Sequence, residues 1–304
     1  MKCLVLAFLL SGSAVLAQPV DDLQRDDAIA LSTAWRLQQA NAPFCSRIGQ
    51  SIGIGLEDTA EFPDPAQARA VYNLSGDIFI GAVAAASPGA KAGLAVNTTL
   101  AAIDDHRLAE LPAPPKQDPF ARQRLARDIL DQALARNGAV DLTLANGQHM
   151  RISAVPVCRV AIAIDDAKSY ASANRDEIRL GRRAFDVARG DPEIVAALIA
   201  HEMAHVVLDH QSALEASHSS LHVVRRTERE ADRLSVWLLA NAGYRPEAAL
   251  RWQQTYVAHF NGFLTIDPTH GGWKSRAAVV AQEITALRSA PDTDWSRHFR
   301  REPD

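Results

Sequence analysis

Residues 191–208 read DPEIVAALIAHEMAHVVL and determine more about the fold than any other part of the 304-residue chain. The opening Asp-Pro pair is typical of a helix N-terminus, where Asp accepts backbone N–H groups and Pro takes the first helical position. The following residues are apolar almost all round, which predicts a buried helix. His201, Glu202 and His205 interrupt this run. Because buried polar groups are costly without partners, they are candidate functional residues.

The spacing of the two histidines indicates a metal site. His201 and His205 are four residues apart and project from one face of the helix. Two imidazole nitrogens placed in this way suit a tetrahedral zinc site. Glu202 is turned about 100° from His201, which suits a base acting on water better than a ligand. The pattern predicts one Zn²⁺ per chain, with buried, hydrogen-bonded histidines as the alternative.

A catalytic zinc site needs a third protein ligand, and a second helix predicted over residues 223–242 offers one. Glu228 and Asp232 share one face of that helix, so Glu228 is the predicted ligand and Asp232 the predicted acceptor of an imidazole N–H. An exposed charged face is the alternative interpretation of this acidic run. His210 is expected to cap the end of the first helix, and His210 and Glu230 are the alternative ligands.

The first 17 residues have the three-part pattern of a secretory signal peptide. Lys2 provides the positive start, residues 3–10 the apolar stretch and residues 15–17 the small-residue cleavage site. The apolar stretch is far shorter than the roughly 20 residues that span a bilayer. We therefore expect an exported chain that begins near Gln18 and acts in the periplasm or outside the cell, with a buried N-terminal helix as the alternative.

The cysteine count supports export. Cleavage of the signal peptide would remove Cys3 and leave Cys45 and Cys158. An even pair in an oxidising compartment predicts a disulfide, and two unpaired buried thiols are the alternative. Residues between the two cysteines have the texture of short strands and turns. The predicted elements there are strands over 78–83 and 100–103, a helix over 120–137 ending at Gly138, and a hairpin at Asn146-Gly147.

This middle part resembles a PDZ domain of the kind associated with bacterial proteases. The resemblance is carried by FIGAV at 79–83, SPGAKAGL at 87–94 and LAAID at 100–104, and it covers about residues 49–156. It implies that a peptide adds as a strand while backbone N–H groups hold its C-terminal carboxylate. A β-domain without a ligand is the alternative. The candidate residues for the carboxylate loop are Gly53, Ile54 and Gly55, and the family's usual Gly-Asp pair is replaced by Asn97-Thr98.

The C-terminal half resembles the M-forty-eight metallopeptidase family, which comprises the CAAX prenyl endopeptidases and their soluble periplasmic relatives. The resemblance is carried by HEMAH at 201–205, EREADRL at 228–234 and AGYRP at 242–246. It implies a gluzincin fold. The implied zinc ligands are His201, His205 and Glu228, and the implied catalytic base is Glu202.

The same resemblance assigns roles further along the chain. His270 corresponds to a histidine that supports the oxyanion, and Arg276 to an arginine six residues later. The family usually has proline after that histidine, where this chain has Gly271. A solvated loop histidine is the alternative role of His270. An edge strand that aligns substrate is expected over residues 169–173.

Composition sets the remaining limits. The net charge of −4 and the absence of a Lys/Arg stripe argue against nucleic-acid binding.

The predicted class is α+β, with a mainly helical gluzincin domain that carries a small edge sheet and an inserted β-rich, PDZ-like domain. The predicted boundaries are a signal peptide at 1–17, an N-terminal helix packing on the peptidase core at 18–45, the PDZ-like domain at 46–157 and the metallopeptidase domain at 158–304.

The predicted function is zinc-dependent endopeptidase activity on unfolded or mislocalised envelope proteins. The PDZ-like domain is expected to bind substrate, by a peptide C-terminus, or to regulate access. The alternative is a non-catalytic periplasmic adaptor or holdase with a structural zinc site. Protein or peptide substrates are the expected partners, and no transmembrane segment is expected in the mature chain.

Overall fold

A computed structural model describes residues 22–165, 171–257 and 272–303. The predicted signal peptide and His270 lie outside these ranges. The described chain mixes helices and strands, in agreement with the predicted α+β class. Its strands lie between residues 48 and 181, and helices dominate from residue 182 onward. No described helix combines the length and the apolar character that a membrane crossing requires.

The helices and strands of the described residues are numbered in chain order. The helices are α1 (Asp22–Asn41), α2 (Pro65–Val71), α3 (Pro88–Lys91), α4 (Ala121–Asn137), α5 (Arg182–Ala188), α6 (Pro192–Val207), α7 (His210–Ala216), α8 (Leu221–Asn241), α9 (Glu247–Trp252), α10 (Trp273–Ser289) and α11 (Trp295–His298). The strands are β1 (Ile48–Ser51), β2 (Ile54–Asp58), β3 (Ile78–Val83), β4 (Leu100–Ile103), β5 (His106–Arg107), β6 (Ala139–Leu144), β7 (His149–Ser153), β8 (Val155–Cys158), β9 (Ala161–Asp165), β10 (Ser172–Ala173) and β11 (Glu177–Gly181).

Local sequence explains the helix ends. Helix α6 begins where the Asp191 side chain accepts the Glu193 N–H at 2.9 Å, with Pro at the first position. Helix α4 ends at Gly138, whose φ of 62° is the left-handed conformation that glycine adopts without a Cβ clash. Strands β6 and β7 form the predicted antiparallel hairpin around Gly147. These predicted elements are confirmed.

The strands of the described residues form four small sheets. Strand β2 pairs antiparallel with β3, and β1 pairs antiparallel with β8. A four-stranded sheet has the order β5-β4-β6-β7, and a three-stranded sheet the order β10-β11-β9. In the latter, β10 is an edge strand antiparallel to β11. The edge strand expected over residues 169–173 is therefore present over its last two residues, and residues 169–170 lie outside the described ranges.

Apolar side chains gather into two main clusters. The helical core surrounds α6 and α8 and includes Leu198, Met203, Leu234 and Trp237. The strand core lies among residues 52–152, where α4 packs on the strands. The side chains of α6 are buried along most of its length, as the apolar pattern predicts, because the helix lies inside the helical core.

Helix α1 contacts both parts of the chain. Its Ala34 and Leu37 belong to the helical core, which agrees with the predicted packing of this helix on the C-terminal half. Trp35 faces another way and packs against Ala84 and Val157. The helix therefore lies between the C-terminal helices and the strand-rich residues 48–158, whereas the sequence predicted packing on the C-terminal half alone.

The predicted disulfide is present. Cys45 and Cys158 are bonded, with their Cα atoms 5.6 Å apart across 113 residues of chain. Next to this bond, β1 pairs with β8, and Ile48 lies opposite Cys158. The strand-rich residues therefore leave the helical part and return to it at one place.

Candidate metal centre

Helices α6 and α8 bring three potential metal ligands together. Among the described residues, His201 and His205 of α6 and Glu228 of α8 form a group that could hold a metal ion. The Nε2 atoms of the two histidines are 3.3 Å apart. Glu228 places Oε2 3.6 Å from Nε2 of His201 and Oε1 3.5 Å from Nε2 of His205.

These separations fit a tetrahedral metal site. Bonds of about 2.0–2.1 Å to a central Zn²⁺ place neighbouring ligand atoms about 3.3–3.4 Å apart. The observed 3.3–3.6 Å is close to that value. Two imidazoles and one carboxylate are also a ligand set of catalytic zinc sites. Since His201 and Glu228 are only 6% and 8% exposed, the ligand atoms lie in an environment that favours a bound cation over solvated charges.

The far nitrogen of His201 faces a carboxylate. Its Nδ1 lies 3.1 Å from Oδ1 of Asp232, the residue that the sequence predicts to accept an imidazole N–H. Arg276 donates to both oxygens of Asp232, at 2.6 and 2.8 Å, and its Nη2 lies 3.2 Å from Oε2 of Glu228. Gln253, which the sequence did not single out, donates to Asp232 at 2.6 Å. The carboxylate opposite His201 is thus held from two further elements.

The far nitrogen of His205 faces another histidine. Its Nδ1 lies 2.8 Å from Nδ1 of His210, and Nε2 of His210 lies 3.1 Å from Oε2 of Glu230. The expectation that His210 caps α6 is wrong, because the backbone turns left-handed at Asp209 and His210 begins α7 with its ring buried. Neither His210 nor Glu230 belongs to the group that could hold a metal among the described residues.

The site's charges alter the ionisation of its members. Burial lowers the pKa of His201, but Asp232 and Glu228 outweigh burial and raise this pKa to about 10. Burial lowers the pKa of His205 well below its usual value. Burial also raises the pKa of Glu228, but Arg276 and the two imidazoles reverse the effect and hold it well below its usual range. The site thus favours one positive charge between its carboxylates, which a metal ion would supply in place of a proton.

The structure describes only one of the two predicted catalytic residues. Glu202 lies next to His201 on α6 and is only 8% exposed. Burial lowers the pKa of Arg276, but Asp232, Glu228 and, less strongly, Glu202 raise it above its usual value, so Glu202 lies within electrostatic reach of this centre. His270 cannot be compared with its predicted role, because it lies outside the described residues.

The predicted peptide loop differs from expectation. Ile54 and Gly55 lie in strand β2, not in a loop, because they pair with Val83 and Ala82 of β3. Gly53 remains in the turn, with a left-handed φ of 73°. Its N–H donates to Oγ of Ser51 at 3.1 Å, so this amide already has an acceptor.

The edge of β2 that faces α4 is also partly occupied. Gln123 of α4 donates to the carbonyl oxygen of Leu56 at 2.8 Å. Arg122, one residue earlier, forms two hydrogen bonds of 2.6 Å to the buried Asp58. A strand added at this edge would compete with Gln123 for the Leu56 carbonyl.

Comparison of the chain with models of known protein families finds no match, and comparison with curated proteins finds no similar sequence. The chemistry of the centre is therefore inferred from its side chains alone. They comprise three converging ligand atoms, one buried glutamate beside them, a carboxylate 3.1 Å behind the His201 ring and a hydrogen-bonded imidazole behind the His205 ring.

Proposed function

We propose that the protein is an exported zinc-dependent metalloendopeptidase, of the M-forty-eight kind that its sequence resembles. The observation that carries the proposal is the arrangement of His201, His205 and Glu228, whose ligand atoms lie 3.3–3.6 Å apart with Glu202 adjacent on α6. The disulfide and the signal-like N-terminus support an oxidising compartment such as the periplasm. The proposed substrates are unfolded or mislocalised envelope proteins.

The residues would divide the chemistry as follows. His201, His205 and Glu228 would hold the ion, and a bound Zn²⁺ would polarise the scissile carbonyl and lower the pKa of water toward about 7. Glu202 would accept the proton of the attacking water and return it to the departing amine. Arg276 and Asp232 would hold Glu228 and His201 in place, which limits reorganisation during the reaction.

The strand-rich residues are proposed to act as a PDZ-like unit that binds substrate or regulates access. Arg47, immediately before β1, donates to the carbonyl of Val206 at 3.1 Å and pairs with Asp176 at 2.6 Å. Val206 follows His205 on α6, and Asp176 precedes the strand next to edge strand β10. A displacement of this unit would therefore change contacts at both α6, which carries His205, and the sheet that contains edge strand β10.

A non-catalytic adaptor or holdase with a structural zinc site is the competing function. Structural zinc sites use four protein ligands, whereas the metal-binding group among the described residues has three. A buried glutamate beside the ligands also has no use in a structural site. These two features favour the peptidase.

Substitution of Glu202 separates the two functions. We expect wild-type protein to hold about one zinc ion and to cleave unfolded casein, with activity lost on chelation and restored by Zn²⁺. Glu202→Gln should keep the zinc, since Glu202 is not a ligand, and should lose about 10²–10⁴-fold in cleavage rate. Glu193→Gln, the same change near the start of α6, is the matched control and should cleave at the wild-type rate. Zinc without cleavage in the wild type would support the adaptor.

A further inference from the structure

His210 stands in a chain of hydrogen-bonding groups behind the metal-binding face of His205. Its ring is 1% exposed and lies between two polar partners. On one side, Nδ1 is 2.8 Å from Nδ1 of His205, and on the other, Nε2 is 3.1 Å from Oε2 of Glu230. The three side chains come from α6, α7 and α8, so this series of hydrogen bonds joins three helices.

The last group in this series of hydrogen bonds is the carboxylate of Glu230, which can only accept hydrogen bonds. Arg301 donates to Oε2 of Glu230 at 2.9 and 3.1 Å, and the backbone N–H of Glu302 donates to Oε1 at 2.7 Å. With cationic and N–H donors on both oxygens, Glu230 accepts from His210 rather than donating to it. The proton of a neutral His210 ring therefore lies on Nε2.

The direction of the remaining hydrogen bond follows. A neutral imidazole with its proton on Nε2 has a lone pair on Nδ1. Two nitrogens 2.8 Å apart need one proton between them, and this proton must come from Nδ1 of His205. Nε2 of His205 then carries the lone pair, on the side where Nε2 of His201 and Oε1 of Glu228 lie 3.3 and 3.5 Å away.

We propose that His210 is a positioning residue that sets the Nδ1–H tautomer and ring orientation of His205, and that Glu230 and the C-terminal Arg301 hold His210 for this task. The proposal rests on the proposed metal site. It makes the two imidazole ligands unlike in their support, since His201 faces a carboxylate and His205 a neutral ring. It also makes residues about 100 positions beyond α6 part of the machinery that binds the ion.

Two amide substitutions distinguish this role from simple packing. In His210→Asn, the amide oxygen can take the place of Nδ1 and still accept from His205, while the link to Glu230 is lost. In His210→Gln, the longer side chain puts its amide near the position of Nε2, so it can reach Glu230 but offers nothing at the Nδ1 position. We expect the Asn variant to bind Zn²⁺ within about threefold of wild type and the Gln variant to bind about 10–100-fold more weakly.

Zinc affinity is measured by competition with a chromophoric chelator on the full chain, with thermal unfolding of the metal-free proteins recorded alongside. Equal losses of zinc affinity in the Asn and Gln variants would overturn the positioning role, because a packing defect does not depend on which nitrogen is replaced. A wild-type protein that binds no zinc would instead overturn the proposed function, and the positioning role with it.

A surface variant tests the same chain of contacts if either substitution at position 210 impairs folding. Arg301→Gln removes the guanidinium from Glu230 and should weaken zinc binding about threefold to tenfold, which is less than the roughly 10–100-fold typical of groups that contact a ligand directly, because Arg301 acts through Glu230 and His210. Arg300→Gln is the matched control, since Arg300 is exposed and bonds the carbonyl of Phe299. Identical zinc affinities for the two arginine variants would contradict the proposal.

Discussion

Each of the two main parts of this molecule contains an arginine that binds a buried carboxylate. In the strand-rich part, Arg122 forms two hydrogen bonds of 2.6 Å to Asp58, which is fully buried. In the helical part, Arg276 bonds both oxygens of Asp232 and lies 3.2 Å from Glu228. The ion-pair chemistry is the same, yet only the second cluster has the features of a binding site.

The difference lies in where the remaining acceptor atoms point. The Oδ1 atom of Asp58 also accepts the N–H of Ala60 at 2.9 Å, so the cluster satisfies its members locally. Beside Arg276, the acceptor atoms of two imidazoles and Glu228 instead face one another at 3.3–3.6 Å. Converging lone pairs repel unless a cation or proton lies between them. A buried ion pair is therefore weak evidence for function, whereas convergent acceptors are strong evidence.

The largest expected effect comes from removing a convergent acceptor. Glu228→Ala should weaken zinc binding by more than about 100-fold, the upper range for groups outside the ligand shell, because a ligand oxygen is lost. The contact of Arg276 with Asp232 remains, so the fold should persist. Chelator competition measures the affinity, and circular dichroism checks the fold. Full zinc retention would show that Glu228 is not a ligand.

The corresponding change in the strand-rich part should act on stability instead. Asp58→Asn leaves Arg122 with one fewer buried anion and should lower the free energy of unfolding by about 3 kcal/mol. Zinc affinity should stay within error of wild type. Urea unfolding and chelator competition on the same samples give both values. A loss of zinc affinity comparable to that of Glu228→Ala would remove the distinction between the two clusters.

The smallest effect is a pH dependence of the metal site. Since the pKa of His201 is raised to about 10 by Asp232 and Glu228 against the effect of burial, metal-free protein holds a proton there that Zn²⁺ must displace. Apparent zinc affinity should rise about tenfold from pH 7 to pH 8, with about one proton released per ion. Calorimetry in buffers of different ionisation enthalpy counts the proton. A flat affinity and no released proton would contradict the raised pKa.

The stability of the metal-free protein should change in the opposite direction. A raised pKa means that the folded chain holds a proton which the unfolded chain loses above about pH 6.5. The stabilisation from this ion pair is complete below that pH and declines as the pH rises toward 10. Asp232→Asn, which removes one of the two anions, should flatten both pH profiles.

Local patterns were sufficient for much of the fold. The Asp-Pro start of α6, the Gly138 terminus of α4 and the Asn146-Gly147 hairpin depend on residues within a few positions of each other. The alternative ligand Glu230 shows where such patterns stop being sufficient. It lies two residues from Glu228 on the same helix, but points to His210 and to the C-terminal residues instead. Spacing favours Glu228, which shares a helix face with Asp232, but the partners of Glu230 are distant in sequence and no local pattern predicts them.

The predicted peptide loop differs from the structure at two of its three residues for a related reason. The PDZ resemblance assigns Ile54 and Gly55 to the carboxylate loop, but both pair with β3 as part of strand β2. Gln123, 67 positions from Leu56, then occupies a carbonyl on the same strand. Pairing between distant segments thus decides how much of the β2 edge is open to an added strand, and no local sequence pattern predicts it.

The sequence alone determined the periodic and compositional features: the two histidines on one helix face, the acidic pair on the next long helix, and the two cysteines that bond. The shared helix faces follow from helix geometry, and the disulfide follows from the tendency of an even pair of cysteines to bond where thiols are oxidised. Only the tertiary structure decided which acceptors converge, that Gln253 and Arg276 hold Asp232, and that His210 stands behind His205. The reason is physical, because hydrogen-bond direction and ligand spacing depend on side chains that are distant in sequence and become neighbours only when the helices pack.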